Sequence, residues 1–511
     1  TWEITVFDDL PAVTLRLRGV TAATGTAATA ASGPSGIETD ARPTAAASTG
    51  ADACERLDLV QHHTRLRNLV LMDRTDQHDN LARVEERRLN PVETIRLAGC
   101  VFVLSDPLSD AGLILVKHSP LPHARPAGPA IDLIAQHRRV DLLGHGCGDT
   151  GEGYAWTVLG YAGGDAGCTA ALHALQRRHR PYLPGRDGRL LSNTWGDRNR
   201  DGRISAAFIA EEIAAGADLG VDVVQIDDGW QRGITSNSVH RDQGGVWLGF
   251  WAADPQFWSP HPGRFPAGLA GTASAVAEHR MAFGLWFAPD SADDFANWRR
   301  DADQVLALHR DHNVRYVKID GVKAHTKTAE ANLQRFFRAV LGESDGAVTF
   351  DLDVTAETRP GYVGAMSVGP LFVENRYTDW GRYWPHATLR NLWQLAWWID
   401  PLRLRMEFLN PLRNQDRYGD DPLRPARYAG DYLFHHLHRQ SPGLVRGLPA
   451  SPRREGERGS PHRSLAHATG PPAQRNHPAH RRMPGWSLLD RLPEQPRGQR
   501  GPPGLPRTQP P

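Results

Sequence analysis

From residue 186 to 435 the chain repeats one motif. A short β-rich run ends in an acid or an aromatic, and a helical segment follows it. The runs are LLSNTW, VDVVQIDD, MAFGLWFAPD, VRYVKID, VTFDLD, LFVENRYTD and LRMEFLN. Between them lie segments with helical spacing of apolar residues, among them SAAFIAEEIAAGADLG, ADQVLALHRDH and AEANLQRFFRAVLG. Successive run ends mostly fall roughly 25–35 residues apart, the βα repeat of a (β/α)8 TIM-type barrel. A doubly wound open sheet would alternate in the same way, but it should carry a Gly-rich phosphate turn after an early strand, and the sequence shows none. One gap is wider, roughly 60 residues from Asp228 to Asp290. It holds GGVWLGFWAADPQFW, which reads as a long loop over the barrel opening.

The flanks have other textures. Residues 1–185 carry short β-like runs (TWEITVF, AGCVFVLS, AGLILVKHS, YAWTVLGY) between turn signals and predict a β-rich, sandwich-like domain with poor period-2 alternation. Residues 436–511 are dense in Pro, Arg and Gly, a composition that buries too little apolar surface to offset its ordering entropy, so the sequence predicts a disordered tail.

Bulk properties exclude several classes. With 59 Lys and Arg against 58 Asp and Glu, nothing attracts nucleic acid or an anionic membrane. No apolar run approaches a membrane span. The four cysteines follow no disulfide framework, which favours a soluble, cytoplasmic setting over a secreted one. No zinc-ligand spacing occurs, and no metal or other cofactor is expected. WGDRNRDGRISAAF sets Asp197, Asn199, Asp201 and Gly202 as a calcium loop would, but Phe208 stands where the closing bidentate carboxylate belongs. It reads as a turn into a helix.

In such a barrel the C-terminal strand ends face the active site. Acids collect there: Asp227 and Asp228, Asp290, Asp320, Asp351 and Asp353, then Glu374 and Asp379. A single acid at a strand end is commonly a cap, whereas acids on successive strands converge. In YVKIDG, Lys318 and Asp320 are two apart, so their side chains leave one face, and a lysine there favours an ionised carboxylate. Aromatics crowd the same ends: Trp195, Trp230, Trp286, Tyr377 and Trp380. Flat apolar faces beside carboxylates suit sugars.

VDVVQIDDGWQ, FGLWFAPDS, YVKIDG and ENRYTDW, in this order, resemble the retaining α-galactosidase clan, glycoside hydrolase families 27 and 36, over residues 190–434. The resemblance implies a glycosidase of carbohydrate metabolism acting on an oligosaccharide or glycoside by a retaining mechanism. It implies Asp320 as nucleophile and Asp379 as acid/base, with Glu374 in that role if the register differs. Asp227, Asp228, Trp195, Trp286, Lys318 and Arg376 would bind the sugar. The fifth strand, FDLDVTAETRPGY, departs from the family's Cys/Gly-rich signature. The match stops near His435, from which an incomplete barrel is expected. A galactosyl-transferring enzyme, an α-N-acetylgalactosaminidase, a Mg-dependent enolase-type barrel and an inactive sugar-binding protein are the competing readings. Oligomeric state is not legible.

Overall fold

A computed structural model describes residues 1–19, 53–59, 65–75, 78, 80–125, 131–145, 147, 150–197, 200–355, 359–373, 385–409 and 443–446. The first eleven strands are β1 (Trp2–Val6), β2 (Ala12–Leu17), β3 (Ala53–Asp58), β4 (Arg65–Leu71), β5 (Ala82–Arg88), β6 (Ile95–Leu97), β7 (Val101–Ser105), β8 (Gly112–His118), β9 (Leu133–Gln136), β10 (Arg139–Leu143) and β11 (Ala155–Tyr161). They form two sheets, ordered β1-β2-β11-β8-β7-β4-β5 and β3-β10-β9-β6, with every pair antiparallel. Leu66, Phe102, Leu104, Leu115 and Trp156 from the first sheet meet Ile95, Leu133, Ala135, Val140 and Leu142 from the second. The opposite face of the first sheet, with Leu69, Val101, Val103, Ile114 and Val116, joins the core that runs into the barrel. A strand such as VFVLS is thus buried on both faces. That double burial erases the alternation expected of a half-solvated strand.

Eight parallel strands follow: β12 (Leu191–Asn193), β13 (Val223–Ile226), β14 (Ala282–Phe287), β15 (Val314–Ile319), β16 (Thr349–Asp353), β17 (Leu371–Val373), β18 (Leu404–Leu409) and β19 (Gly443–Arg446). They close into a barrel with helices at Ala206–Leu219, Ala270–Glu278, Trp298–His312, Lys327–Glu343 and Pro385–Ala396. The expectation of an incomplete barrel is corrected here. β19 pairs with β18 on one side and β12 on the other, Leu191 opposite Leu444. GLVR is an apolar run too short to stand out within a Pro- and Arg-rich stretch, yet a parallel sheet needs only four residues to bridge its two edges. The eighth strand therefore comes from the segment read as a tail; the rest of that segment lies outside the described residues.

Inside the barrel the side chains are layered. Leu191, Val223, Tyr316 and Phe372 form an apolar layer. Above it Asn193 Nδ2 donates to Gln225 Oε1 (2.8 Å), Gln225 Nε2 reaches Asp351 Oδ2 (3.4 Å), and Arg405 pairs with the same oxygen (3.0 Å). Gly284 makes room for this crossing, since a Cβ there would stand 3.1 Å from Gln225 Cβ. Among the described residues, no helix is long and apolar enough to cross a membrane.

The calcium look-alike is a buttress. Asp201 accepts from Ser238 Oγ (2.6 Å), Val239 N (2.7 Å) and Arg264 Nη2 (2.9 Å). Ser205 caps the next helix by accepting from Phe208 N at 3.2 Å. The Trp-rich insertion is pinned from two sides. Gly249 N donates to Asp290 Oδ1 (2.7 Å) and Trp251 Nε1 to Asp301 Oδ1 (2.8 Å), while the Arg300 guanidinium lies 3.9 Å over the Trp251 ring.

Candidate active site

Asp320 follows β15 at the open end of the barrel. Arg359 Nη2 donates to its Oδ1 at 2.9 Å, Gly321 N to the same oxygen at 2.7 Å, and Trp286 Nε1 to Oδ2 at 3.2 Å. Burial pushes the carboxyl up, but Arg359 and Lys318 outweigh it and hold the group down to about 2. Asp320 is therefore ionised at neutral pH. Its side chain is 16% exposed, whereas that of Arg359 is 2% exposed.

Lys318 takes a different place from the one its spacing suggests. Its Nζ pairs with Asp227 Oδ2 at 2.9 Å, stands 3.6 Å from Asp353 Oδ2 and sits 5.3 Å over the Phe372 ring. The direct cationic partner of Asp320 is Arg359, from the loop after β16. The only sequence signal for it is an arginine closing the run FDLDVTAETR; its convergence on Asp320 is a product of barrel closure.

Asp227 also accepts from Asn193 Nδ2 (2.8 Å), and its Oδ1 accepts from the Asp228 amide (2.9 Å). Asp228 is walled in, since Gln231 Nε2 donates to Oδ1 (2.7 Å) and the Thr235 hydroxyl to Oδ2. Burial dominates there and moves the carboxyl up to about 7 despite those two donors. Trp286 is buried at the junction of Asp320 and the insertion, its ring 6.1 Å from Trp247 and 5.7 Å from Trp258. Trp195 is half-buried beside β12, its backbone amide donating to Asn193 Oδ1 (2.8 Å).

Two expected neighbours lie elsewhere. Trp230 is core, stacked on Trp258 with its Nε1 on Trp286 O. Asp290 serves the insertion. Glu374, Arg376, Tyr377, Asp379 and Trp380 fall outside the described residues. The open end therefore holds Asp227, Asp320 and Asp353 around Lys318 and Arg359, with an indole N–H aimed at the ionised carboxylate. Such a group can attack an electrophilic carbon.

Residues 154–329 match the family model named Melibiase. No curated protein matches the chain. The α-galactosidase AgaA of Geobacillus stearothermophilus, from glycoside hydrolase family 36, has a similar structure: TM-score 0.57 and 13% identity over 91% of this chain and 66% of that one. An AgaA variant solved with raffinose gives 0.58 and 13% over the same shares. The α-galactosidase of Lactobacillus brevis gives 0.52 and 12% over 81% of this chain and 60% of that one. The chain thus spans just under two thirds of these relatives' length. Residues 154–329 thus match the Melibiase family model, and the barrel with its β-rich N-terminal region shares the fold of these family 36 α-galactosidases.

Proposed function

We propose that the protein is a retaining exo-α-galactosidase with Asp320 as its nucleophile. The observation that carries this reading is a carboxylate kept ionised by Arg359 and Lys318 at the open end of the barrel. Asp320 attacks the anomeric carbon, and the glycosidic C–O bond breaks with its electron pair leaving on the aglycone oxygen. Asp379, or Glu374 in the alternative register, gives that oxygen a proton. Water then surrenders a proton to the same acid/base and attacks the anomeric carbon, breaking the ester bond and restoring the Asp320 carboxylate. Asp227 and Asp228 hold sugar hydroxyls, Lys318 and Arg376 add donors, and Trp195 and Trp286 wall the pocket. Glycosyl transfer to a sugar acceptor in place of water uses the same first half-reaction.

The test is Asp320→Gly. It should abolish hydrolysis of a nitrophenyl α-galactoside yet accept a β-galactosyl azide as donor, since the cavity left by the carboxylate admits a preformed leaving group. NMR should show the α-anomer as first product of the unaltered protein. A β-anomer there rejects the retaining mechanism, and full activity in Asp320→Gly rejects the nucleophile.

A further inference from the structure

The turn that carries Arg359 is gripped by the β-rich N-terminal domain. Arg359 is followed by Pro360 and a one-turn helix, Gly361–Gly364. The Tyr362 hydroxyl donates to Met72 O at 2.6 Å, and Thr75 N donates at 3.1 Å to the carbonyl of Val354, one residue past the end of β16. Gly361 has a φ of 70°, and a Cβ there would stand 3.2 Å from Leu121 Cγ and 3.3 Å from Leu121 N. At Gly364 a Cβ would stand 3.0 Å from the Ser119 carbonyl oxygen. The two backbones therefore meet closer than a side chain at either glycine would allow. Asp73 Oδ1 lies 2.6 Å from His123 Nε2, which ties the Met72–Thr75 loop to the turn after Leu121. Tyr362 is fully buried, so no solvent replaces the Met72 carbonyl as its partner. We propose that Tyr362 is a positioning residue for the nucleophile: anchored on Met72, it fixes the turn that sets Arg359 at bonding distance from Asp320. The inference rests on the glycosidase reading above and adds to it a part for the N-terminal domain.

The surrounding charges decide what a loosened turn would do. Asp320 faces Arg359 from this turn, Lys318 from its own strand and Asp353 from the end of β16, with Trp286 Nε1 donating from β14. Asp227, from β13, is paired with Lys318. The described residues of β17, Leu371, Phe372 and Val373, bring no charge. Lys318 is thus already engaged, and Asp353 and Asp320 oppose each other's ionisation. No neighbour makes good a retreat of Arg359, since both its charge and its hydrogen bond weaken with distance. When the turn loosens, the Asp320 carboxyl moves up toward its ordinary value.

The test is Tyr362→Phe in the full chain, which removes the hydroxyl and keeps the ring. With a nitrophenyl α-galactoside, the acidic limb of kcat/KM should move up by about half a pH unit, with a loss of about threefold at neutral pH. Tyr316→Phe is the control, because it removes an equivalent bond, to Arg186 O at 2.7 Å, from the apolar layer of the barrel. It should lower the melting temperature to a similar degree and leave the limb in place. In an Arg359→Ala background, Tyr362→Phe should shift the limb no further. An unshifted limb in Tyr362→Phe, an equal shift in Tyr316→Phe, or a full second shift on top of Arg359→Ala overturns the proposal. Should Tyr362→Phe not fold, His123→Ala, which unties the two gripping loops, takes its place with the same outcomes. Carboxyl-carbon NMR of the aspartate-labelled chain separates the two readings. The Asp320 signal, assigned by its loss in Asp320→Asn, should titrate higher in Tyr362→Phe than in the unaltered chain. A shifted titration without turnover rejects the hydrolase and leaves this assignment standing; an unshifted titration rejects the assignment whatever the turnover shows.

Discussion

Asp320 is legible as a strand-end acid, but its state is set by a residue no spacing rule connects to it. Arg359 lies 39 positions on and reaches it because β15 and β16 are neighbours in the barrel. Removing that guanidinium leaves burial opposed mainly by Lys318, so the Asp320 pKa should climb. Attack needs the ionised form. In Arg359→Ala the acidic limb of kcat/KM should therefore move to higher pH, with a loss of roughly a hundredfold at neutral pH. An unshifted limb in a pH–rate profile would mean that another group ionises Asp320. Lys318 makes the complementary point: its i, i+2 spacing from Asp320 holds, yet its charge is directed mainly at Asp227, because a long side chain on the inner face spans the lumen.

Local elements are legible in the sequence where period and cap agree. The helix Ala206–Leu219 begins where Ser205 can cap it and ends at Gly220, whose φ of 73° suits glycine. The turn before it looks like a calcium loop only as a string. Its Asp201 carboxylate is neutralised by Arg264 and saturated by loop donors. Asp201→Ala should cost about 3–5 kcal/mol of stability by stranding a buried guanidinium, equally with calcium or with chelator in a denaturant titration. A calcium-dependent difference would restore the metal reading. The joint between sandwich and barrel is another such element. Tyr154 OH donates to both oxygens of Glu330 (2.9 and 2.8 Å) on the helix that follows β15. Burial, partly countered by Tyr154 and Lys327, raises the Glu330 carboxyl to about 7. A raised folded-state pKa contributes stability that is complete below the unfolded value and lost as pH rises through about 7. Thermal melts should show Glu330→Gln gaining about 1 kcal/mol relative to the unaltered chain between pH 6 and 8. A constant difference across that range would place the titration elsewhere.

At the scale of the whole molecule, barrel closure depends on β19, four residues deep in a Pro- and Arg-rich stretch. A chain ending at residue 440 should lose cooperative unfolding, because β12 and β18 become open edges. One ending at residue 450 should unfold as cooperatively as the full chain. Equal, cooperative denaturation of both would show that the eighth strand is dispensable. By itself, the sequence determined the barrel class, seven of its strands, the helices between them and the acids at their ends, because hydrophobic period and strand-end chemistry are local properties carried within each βα unit. It also pointed to the galactosidase group through four motifs in order. Only the tertiary structure decided that VFVLS is buried on both faces, that GLVR closes the barrel, and that Arg359 and not Lys318 bonds Asp320. Each of these depends on which distant segments become neighbours. Burial, charge pairing and hydrogen-bond completion are set by those neighbours, and they leave no periodic mark on the chain.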